Sequence, residues 1–269
     1  MKDVRIVVDR QQIGGKLILP EPPVNPKGAV LFVHGWGGTQ RRDIAKAKRL
    51  ALLGCACLTF NLRGHARTRR QVETVTREQN LRDLVAAYDF LVESTGVNPE
   101  RIGVVGSSYG GYLATLLTGE RKVQWLALRA PALYKDVDFD RPKRQLNLDA
   151  DLPAYRRRRL DSNENRVLTS ASRFDGDVLI VESQTDTIIP AQVIDNYGHA
   201  FSAARSLSRH VLAQADHGLS RESWRRAYGR VLLSWFEKRL RSVSASSPMA
   251  LGACGTATSN RESGWTPDE

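Results

Sequence analysis

In Arg101-Ile-Gly-Val-Val-Gly-Ser-Ser-Tyr-Gly-Gly-Tyr-Leu-Ala-Thr-Leu-Leu117, a short apolar run gives way to two serines set between glycines and then to a helix-like stretch. The order predicts a strand, a sharp turn and a helix. Within it, Gly106-Ser107-Ser108-Tyr109-Gly110 places Ser108 at the tip of the turn. A serine held there projects its hydroxyl clear of the sheet, and the flanking glycines let helix and strand approach without Cβ clashes. The ordinary alternative is a glycine-rich turn at a helix N-terminus. The strand before and the helix after favour a nucleophile.

A serine hydroxyl is a weak nucleophile near neutral pH, so this reading requires a histidine base, a carboxylate to orient it and donors for an oxyanion. The chain has five histidines. His34 lies in Val30-Leu-Phe-Val-His-Gly-Trp-Gly-Gly38, a buried-strand pattern entering a glycine-rich turn, and is expected to be structural. That turn would supply the Trp36 N–H to the oxyanion, with the Tyr109 N–H as second donor. His65, in Asn61-Leu-Arg-Gly-His65, is expected to hold a loop together, while His199 and His210 fall inside a helical and a strand pattern. His217 follows the last strand in Gln214-Ala-Asp-His-Gly-Leu219 and is free to reach a serine. The carboxylate is expected after the strand Asp177-Val-Leu-Ile-Val-Glu182, where Asp186 stands before Pro190. A plain turn aspartate is the other reading of Asp186. The order Ser108, Asp186, His217, each beyond its own strand, matches one hydrolase class.

On these motifs the chain resembles the α/β-hydrolase superfamily over about residues 1 to 240. Ser-Tyr-Gly-Gly-Tyr at 108 to 112 is most similar to small bacterial esterases and to the catalytic domains of prolyl-oligopeptidase-type peptidases. Many relatives carry aspartate where this chain has Asn61, a position in the structural loop. The resemblance implies a serine hydrolase of carboxylic esters, with Ser108, Asp186 and His217 catalytic and Trp36 and Tyr109 in the oxyanion hole. It implies no cofactor and no metal. A peptidase or aminopeptidase, or an acyl thioesterase, would use the same residues, and a binding protein on this fold is the non-enzymatic alternative.

Outside that segment, apolar stretches at 4 to 8 and 16 to 19 suggest a hairpin turned at Gly14-Gly15. Strands are expected at 29–33, 55–60, 101–105, 124–129, 177–182 and 208–213, alternating with helices at 41–53, 79–95, 109–118, 191–204 and 221–240. This predicts an α/β fold: a mostly parallel, twisted sheet of about eight strands, helices on both faces and a small cap insertion. Trp224, Tyr228, Leu232 and Trp235 form a helical stripe expected to face the core. Residues 131–173 break the alternation with prolines and charges and are expected to insert as a cap over the serine. The hydrolase domain then spans 1–241, and 242–269, rich in Ser, Ala, Gly and Thr, is expected to be a disordered tail.

With 269 residues, 41% of them hydrophobic, the chain is sized for one α/β domain. The three cysteines, Cys55, Cys57 and Cys254, suit neither a disulfide framework nor a zinc site. No apolar signal core opens the chain, and the run Leu50 to Phe60 is too short to cross a bilayer, so a soluble, cytoplasmic protein is expected. The formal charge is +11, with clusters such as Arg67 with Arg69-Arg70 and Arg156 to Arg159. No DNA- or RNA-binding motif accompanies the charge, so the expected partner is a small-molecule ester or acyl substrate rather than a specific nucleic acid. Anionic substrates are expected to be drawn toward the cap or toward the loop carrying Arg63 and Arg67.

Overall fold

The central apolar runs become strands buried on both faces, as a parallel sheet between two helical layers requires. The computed structural model describes residues 1–22, 25–137, 139–146 and 148–245. In chain order the elements are β1 (Lys2–Val8), β2 (Gln11–Ile18), β3 (Gly28–Val33), α1 (Arg41–Leu52), β4 (Cys55–Phe60), α2 (Arg77–Thr95), β5 (Ile102–Ser107), α3 (Tyr109–Leu117) and β6 (Trp125–Arg129). They continue with α4 (Lys143–Leu146), α5 (Leu152–Arg156), α6 (Arg166–Ser172), β7 (Asp177–Ser183), α7 (Ala191–Ala200), β8 (Ser206–Leu212) and α8 (Glu222–Ala245). The eight strands form one sheet in the order β1-β2-β4-β3-β5-β6-β7-β8. The β1/β2 and β2/β4 pairs are antiparallel and the remaining pairs parallel. The mostly parallel sheet flanked by helices is the expected fold.

The opening hairpin differs from expectation. Its turn is Asp9-Arg10, both at positive φ (48° and 60°), which is the two-residue turn that matches strand twist. Asp9 is held there by Arg63 Nη1 at 2.8 Å and Arg82 Nε at 3.0 Å. Gly14 and Gly15 instead lie inside β2. A Cβ on Gly15 would stand 2.9 Å from the Thr59 carbonyl of β4, so that glycine serves a close approach between strands and not a turn.

One apolar layer packs α2, α3 and α7 on one face of the sheet, and α1 and α8 cover the other. The expected stripe on α8 is a core face, with Tyr228, Leu232 and Trp235 buried and Trp224 packed at its edge. Each fully buried leucine there, such as Leu232, contributes about 2 kcal/mol. Helix α2 begins earlier than its apolar pattern because Thr76 and Gln79 cap each other's backbone N–H groups. It ends at Gly96, whose φ of 61° closes the last turn. Helix α8 runs through Ala245, into the stretch expected to be a tail; the rest of that stretch, with Cys254, lies outside the described residues. Cys55 and Cys57 are buried free thiols. Among the described residues no helix is long and apolar enough to cross a membrane, and no group of three or more His, Cys, Asp or Glu side chains is placed to hold a metal ion.

Candidate active site

Three loops leave the carboxyl ends of β5, β7 and β8 and converge. The first is the serine turn. Ser108 sits between β5 and α3 with φ 52° and ψ −115°, a conformation side chains rarely adopt. A Cβ on Gly106 would overlap the Gly110 carbonyl, and one on Gly110 would overlap the Val33 carbonyl, so both glycines are steric requirements of the turn. Its backbone is fixed further by Ser108 N–H donating to Arg129 O (2.8 Å) and Ala132 N–H donating to Ser108 O (3.0 Å).

The second and third loops bring Asp186 and His217 to that serine. His217 Nε2 lies 3.0 Å from Ser108 Oγ, and His217 Nδ1 lies 2.7 Å from Asp186 Oδ2. Asp186 Oδ1 also accepts the N–H groups of Ile188 (2.9 Å) and Ile189 (2.8 Å). Burial would raise the Asp186 carboxyl, but the His217 hydrogen bond and these two backbone donors outweigh it and hold the group below its ordinary range. An ionised Asp186 places the imidazole proton on Nδ1, which leaves Nε2 to accept from the serine hydroxyl. The two loops are clasped together where Thr185 Oγ1 donates to Ala215 O (2.8 Å), and Arg42 Nη1 donates to Gly218 O (3.1 Å) beside the histidine.

The glycine-rich turn after β3 lies against the serine: a Cβ on Gly35 would stand 3.4 Å from Ser108 Cβ. Among the described residues the Trp36 and Tyr109 backbone N–H groups have no hydrogen-bond acceptor. The Gly37 N–H, by contrast, donates to His65 Nε2 at 3.0 Å, while His65 Nδ1 stands 3.1 Å from Arg63 O. His34 Nε2 accepts the Leu62 N–H (3.2 Å) and its Nδ1 faces Gly35 O (2.8 Å). Both rings therefore tie the β3 loop to the β4 loop as neutral imidazoles. Burial lowers His34, and burial together with the neighbouring His34 pushes His65 down to about 4. His199 and His210 stay outside the site; His210 is exposed on β8 and His199 bonds Asp195 O within α7.

Two cations fall elsewhere than the sequence suggested. Arg63, expected near anionic substrates, is buried: Nε pairs with Asp83 at 2.5 Å, Nη1 with Asp9, and Nη2 donates to Gln79 O. Lys143 of α4, which no sequence motif singles out, lies fully buried against the rings of Trp36, Tyr109 and Tyr134. The only signal for it was its place in the 131–173 insertion.

A family model of the prolyl oligopeptidase family matches residues 42–243. Among solved structures, a dienelactone hydrolase from Anabaena variabilis superposes with a TM-score of 0.63 at 19% identity, covering 88% of this chain and 96% of that one. Est1E from Butyrivibrio proteoclasticus, solved with ferulic acid bound, gives 0.67 at 16% identity over 90% and 100% of the two chains. An acylaminoacyl peptidase from Pyrococcus horikoshii gives 0.67 at 16% identity, covering 88% of this chain but 41% of that longer one. No curated protein matches the chain in sequence. At these identities the structural likenesses establish the fold, and the family rests on the sequence match.

Proposed function

Since the chain belongs to the prolyl oligopeptidase family and is a serine hydrolase, we propose that it cleaves carboxylic esters through an acyl-enzyme formed on Ser108. The observation that carries this reading is the hydrogen-bonded series Ser108 Oγ, His217 Nε2, His217 Nδ1, Asp186 Oδ2, with steps of 3.0 Å and 2.7 Å between Ser108 and His217 and between His217 and Asp186. Ser108 Oγ attacks the acyl carbon as its proton passes to His217 Nε2. The carbonyl π pair moves to oxygen, and the oxyanion is met by the N–H groups of Trp36 and Tyr109. Asp186 keeps the ring oriented and stabilises the imidazolium. Collapse of the tetrahedral adduct expels the alkoxide, which takes the His217 proton and leaves as alcohol. Water, deprotonated by His217, then releases the acid and restores Ser108.

Residues 131–173 act in this reading as the cap. They run between β6 and β7 through α4, α5 and α6 and press Lys143 against the two aromatic residues that flank the serine. Amide cleavage is the second reading, favoured by the family match; it requires in addition a place for a peptide's charged terminus.

The test is a set of p-nitrophenyl esters from acetate to palmitate, run beside fluorophosphonate labelling. Wild type is expected to take the label and turn over part of the series. Ser108→Ala is expected to fold and do neither. Labelling that survives in Ser108→Ala removes the assignment of the nucleophile, and labelled wild type that cleaves only amides moves the reading to a peptidase.

A further inference from the structure

One residue of β6 touches both the serine turn and the turn that carries Asp186. Arg129 ends that strand, in register with Ser107 of β5 on one side and Val181 of β7 on the other. Its carbonyl accepts the Ser108 N–H at 2.8 Å. Its guanidinium, on a side chain buried to all but 6% of the residue, reaches the other way and donates from Nη1 to Ser183 Oγ at 3.4 Å. Ser183 ends β7, and its own carbonyl accepts the Asp186 N–H at 3.2 Å. The backbone of Arg129 thus fixes the serine while its side chain meets the residue from which the acid's turn departs.

The groups that act on this guanidinium come from four other segments: Tyr228 of α8, Asp186 after β7, Arg42 of α1 and Asp216 after β8. Burial lowers Arg129 from the ordinary arginine value; Tyr228, Asp186 and Asp216 oppose that and Arg42 adds to it. An arginine starts so far above neutrality that it stays cationic. Burial, with Asp43 of α1 behind it, holds the Tyr228 hydroxyl neutral, so α8 contributes no charge there. Asp216 is kept ionised by the Ser220 hydroxyl and N–H, and Arg42 is spent on Gly218 O. The charge of Arg129 therefore bears on Asp186 and, through it, on His217. An uncompensated carboxylate beside an imidazole favours the imidazolium, whose Nε2 cannot accept from Ser108; a buried cation acting on that carboxylate offsets part of its field.

We propose that Arg129 is a positioning residue of this site that acts through Asp186: its guanidinium steadies the acid's turn at Ser183, and its charge counters the carboxylate so that His217 rests neutral and ready to take the Ser108 proton. This rests on the Ser108, His217 and Asp186 assignment and deepens it. The sign of the effect follows. Without the cation, Asp186 acts on His217 undiminished, the ring keeps its proton to higher pH, and the enzyme loses its base at a pH where wild type still has it.

The experiment measures the second-order rate of fluorophosphonate labelling between about pH 5 and pH 9 for wild type, Arg129→Met and Arg129→Lys. In that reaction Ser108 Oγ bonds to phosphorus, fluoride leaves and His217 takes the proton, so the acid limb of the profile reports the neutral ring whatever ester the enzyme prefers. Arg129→Met is expected to move that limb upward by at least about 0.5 pH unit. Arg129→Lys, which keeps the charge, is expected to recover most of the shift. Arg129→Gln, which retains a polar group for Ser183, replaces the methionine variant if thermal unfolding shows that one misfolded. A limb that stays in place in the folded neutral variant overturns the proposal, and so does a limb that moves as far in the lysine variant. A role in packing alone would lower the melting temperature and leave the limb where it is. Wild type that takes no label at any pH refutes the triad beneath, whereas labelled wild type with an unmoved limb in the variants refutes the role of Arg129 alone.

Discussion

Replacing Asp186 by asparagine changes one oxygen to an amide nitrogen, and the geometry determines which one. Oδ1 receives two backbone donors, the N–H groups of Ile188 and Ile189, and Oδ2 faces His217 Nδ1. An asparagine turned with its NH2 toward the backbone would set donor against donor twice, so the amide oxygen keeps the Oδ1 position and the NH2 faces the histidine. It then donates to Nδ1 and drives the imidazole proton to Nε2. In that tautomer the ring cannot accept from Ser108, although every heavy atom stays in place. The expected loss in kcat is about 10⁴-fold, the scale known for the same exchange in a serine protease, or roughly 5.4 kcal/mol of transition-state stabilisation. The assay is steady-state ester hydrolysis by purified Asp186→Asn, with the fluorophosphonate labelling rate measured in parallel and thermal unfolding as a control on folding. Both rates should fall together while the melting temperature stays within a few degrees of wild type. A folded variant retaining more than a tenth of wild-type kcat would mean that Asp186 does not set the tautomer, and the assignment of the acid would be wrong.

Two further outcomes concern what holds the site. His65 is pushed down to about 4 in the folded chain, against about 6.5 in an unfolded one. Below pH 6.5 the unfolded state binds the proton that the folded state refuses, so His65 favours folding above that pH and progressively less as pH falls toward 4. Between pH 7.5 and pH 5 this amounts to about 2 kcal/mol; urea unfolding of His65→Gln should show a pH slope flatter than wild type by that amount, and an identical slope would remove His65 as the source. Arg63→Met leaves the buried Asp83 carboxylate without its guanidinium, which should cost about 3–5 kcal/mol in urea unfolding; a loss under about 1 kcal/mol would show that Asp83 is neutralised some other way.

Those features of the site that follow from local sterics could be read along the chain. The serine turn needs glycines at 106 and 110 because backbone carbonyls occupy the Cβ positions, and such a requirement leaves its mark within five residues. The placement of Asp186 and His217 after β7 and β8 follows from the alternation of elements, since parallel strands deliver all their following loops to one end of the sheet. Where two distant segments decide the conformation, reading along the chain fails. Gly14-Gly15 carried the stronger turn signal, yet the turn formed at Asp9-Arg10 because Arg63 and Arg82 grip Asp9 from the loop after β4 and from α2. Arg63 likewise looked like a surface cation until the fold set Asp83 beside it.

Lys143 is the extreme case of that failure, and it separates two kinds of information in the site. Its ring partners come from the loop after β3, from the start of α3 and from the segment after β6, so no window of sequence contains the box that surrounds it. The groups proposed to react, by contrast, are carried on turns whose backbones are locked: two glycines that admit no side chain, a serine at positive φ, and two neutral histidines that stitch the β3 loop to the β4 loop. None of these locks draws a hydrogen bond from α4, α5 or α6; the one bond they take from residues 131–173 is the backbone N–H of Ala132 to Ser108 O. In the proposed reading, bond cleavage and the choice of acyl group would thus be held by different parts of the chain. Substitutions in residues 131–173 are accordingly expected to alter which ester is cleaved, whereas substitutions at the glycines of the serine turn alter whether the site forms at all.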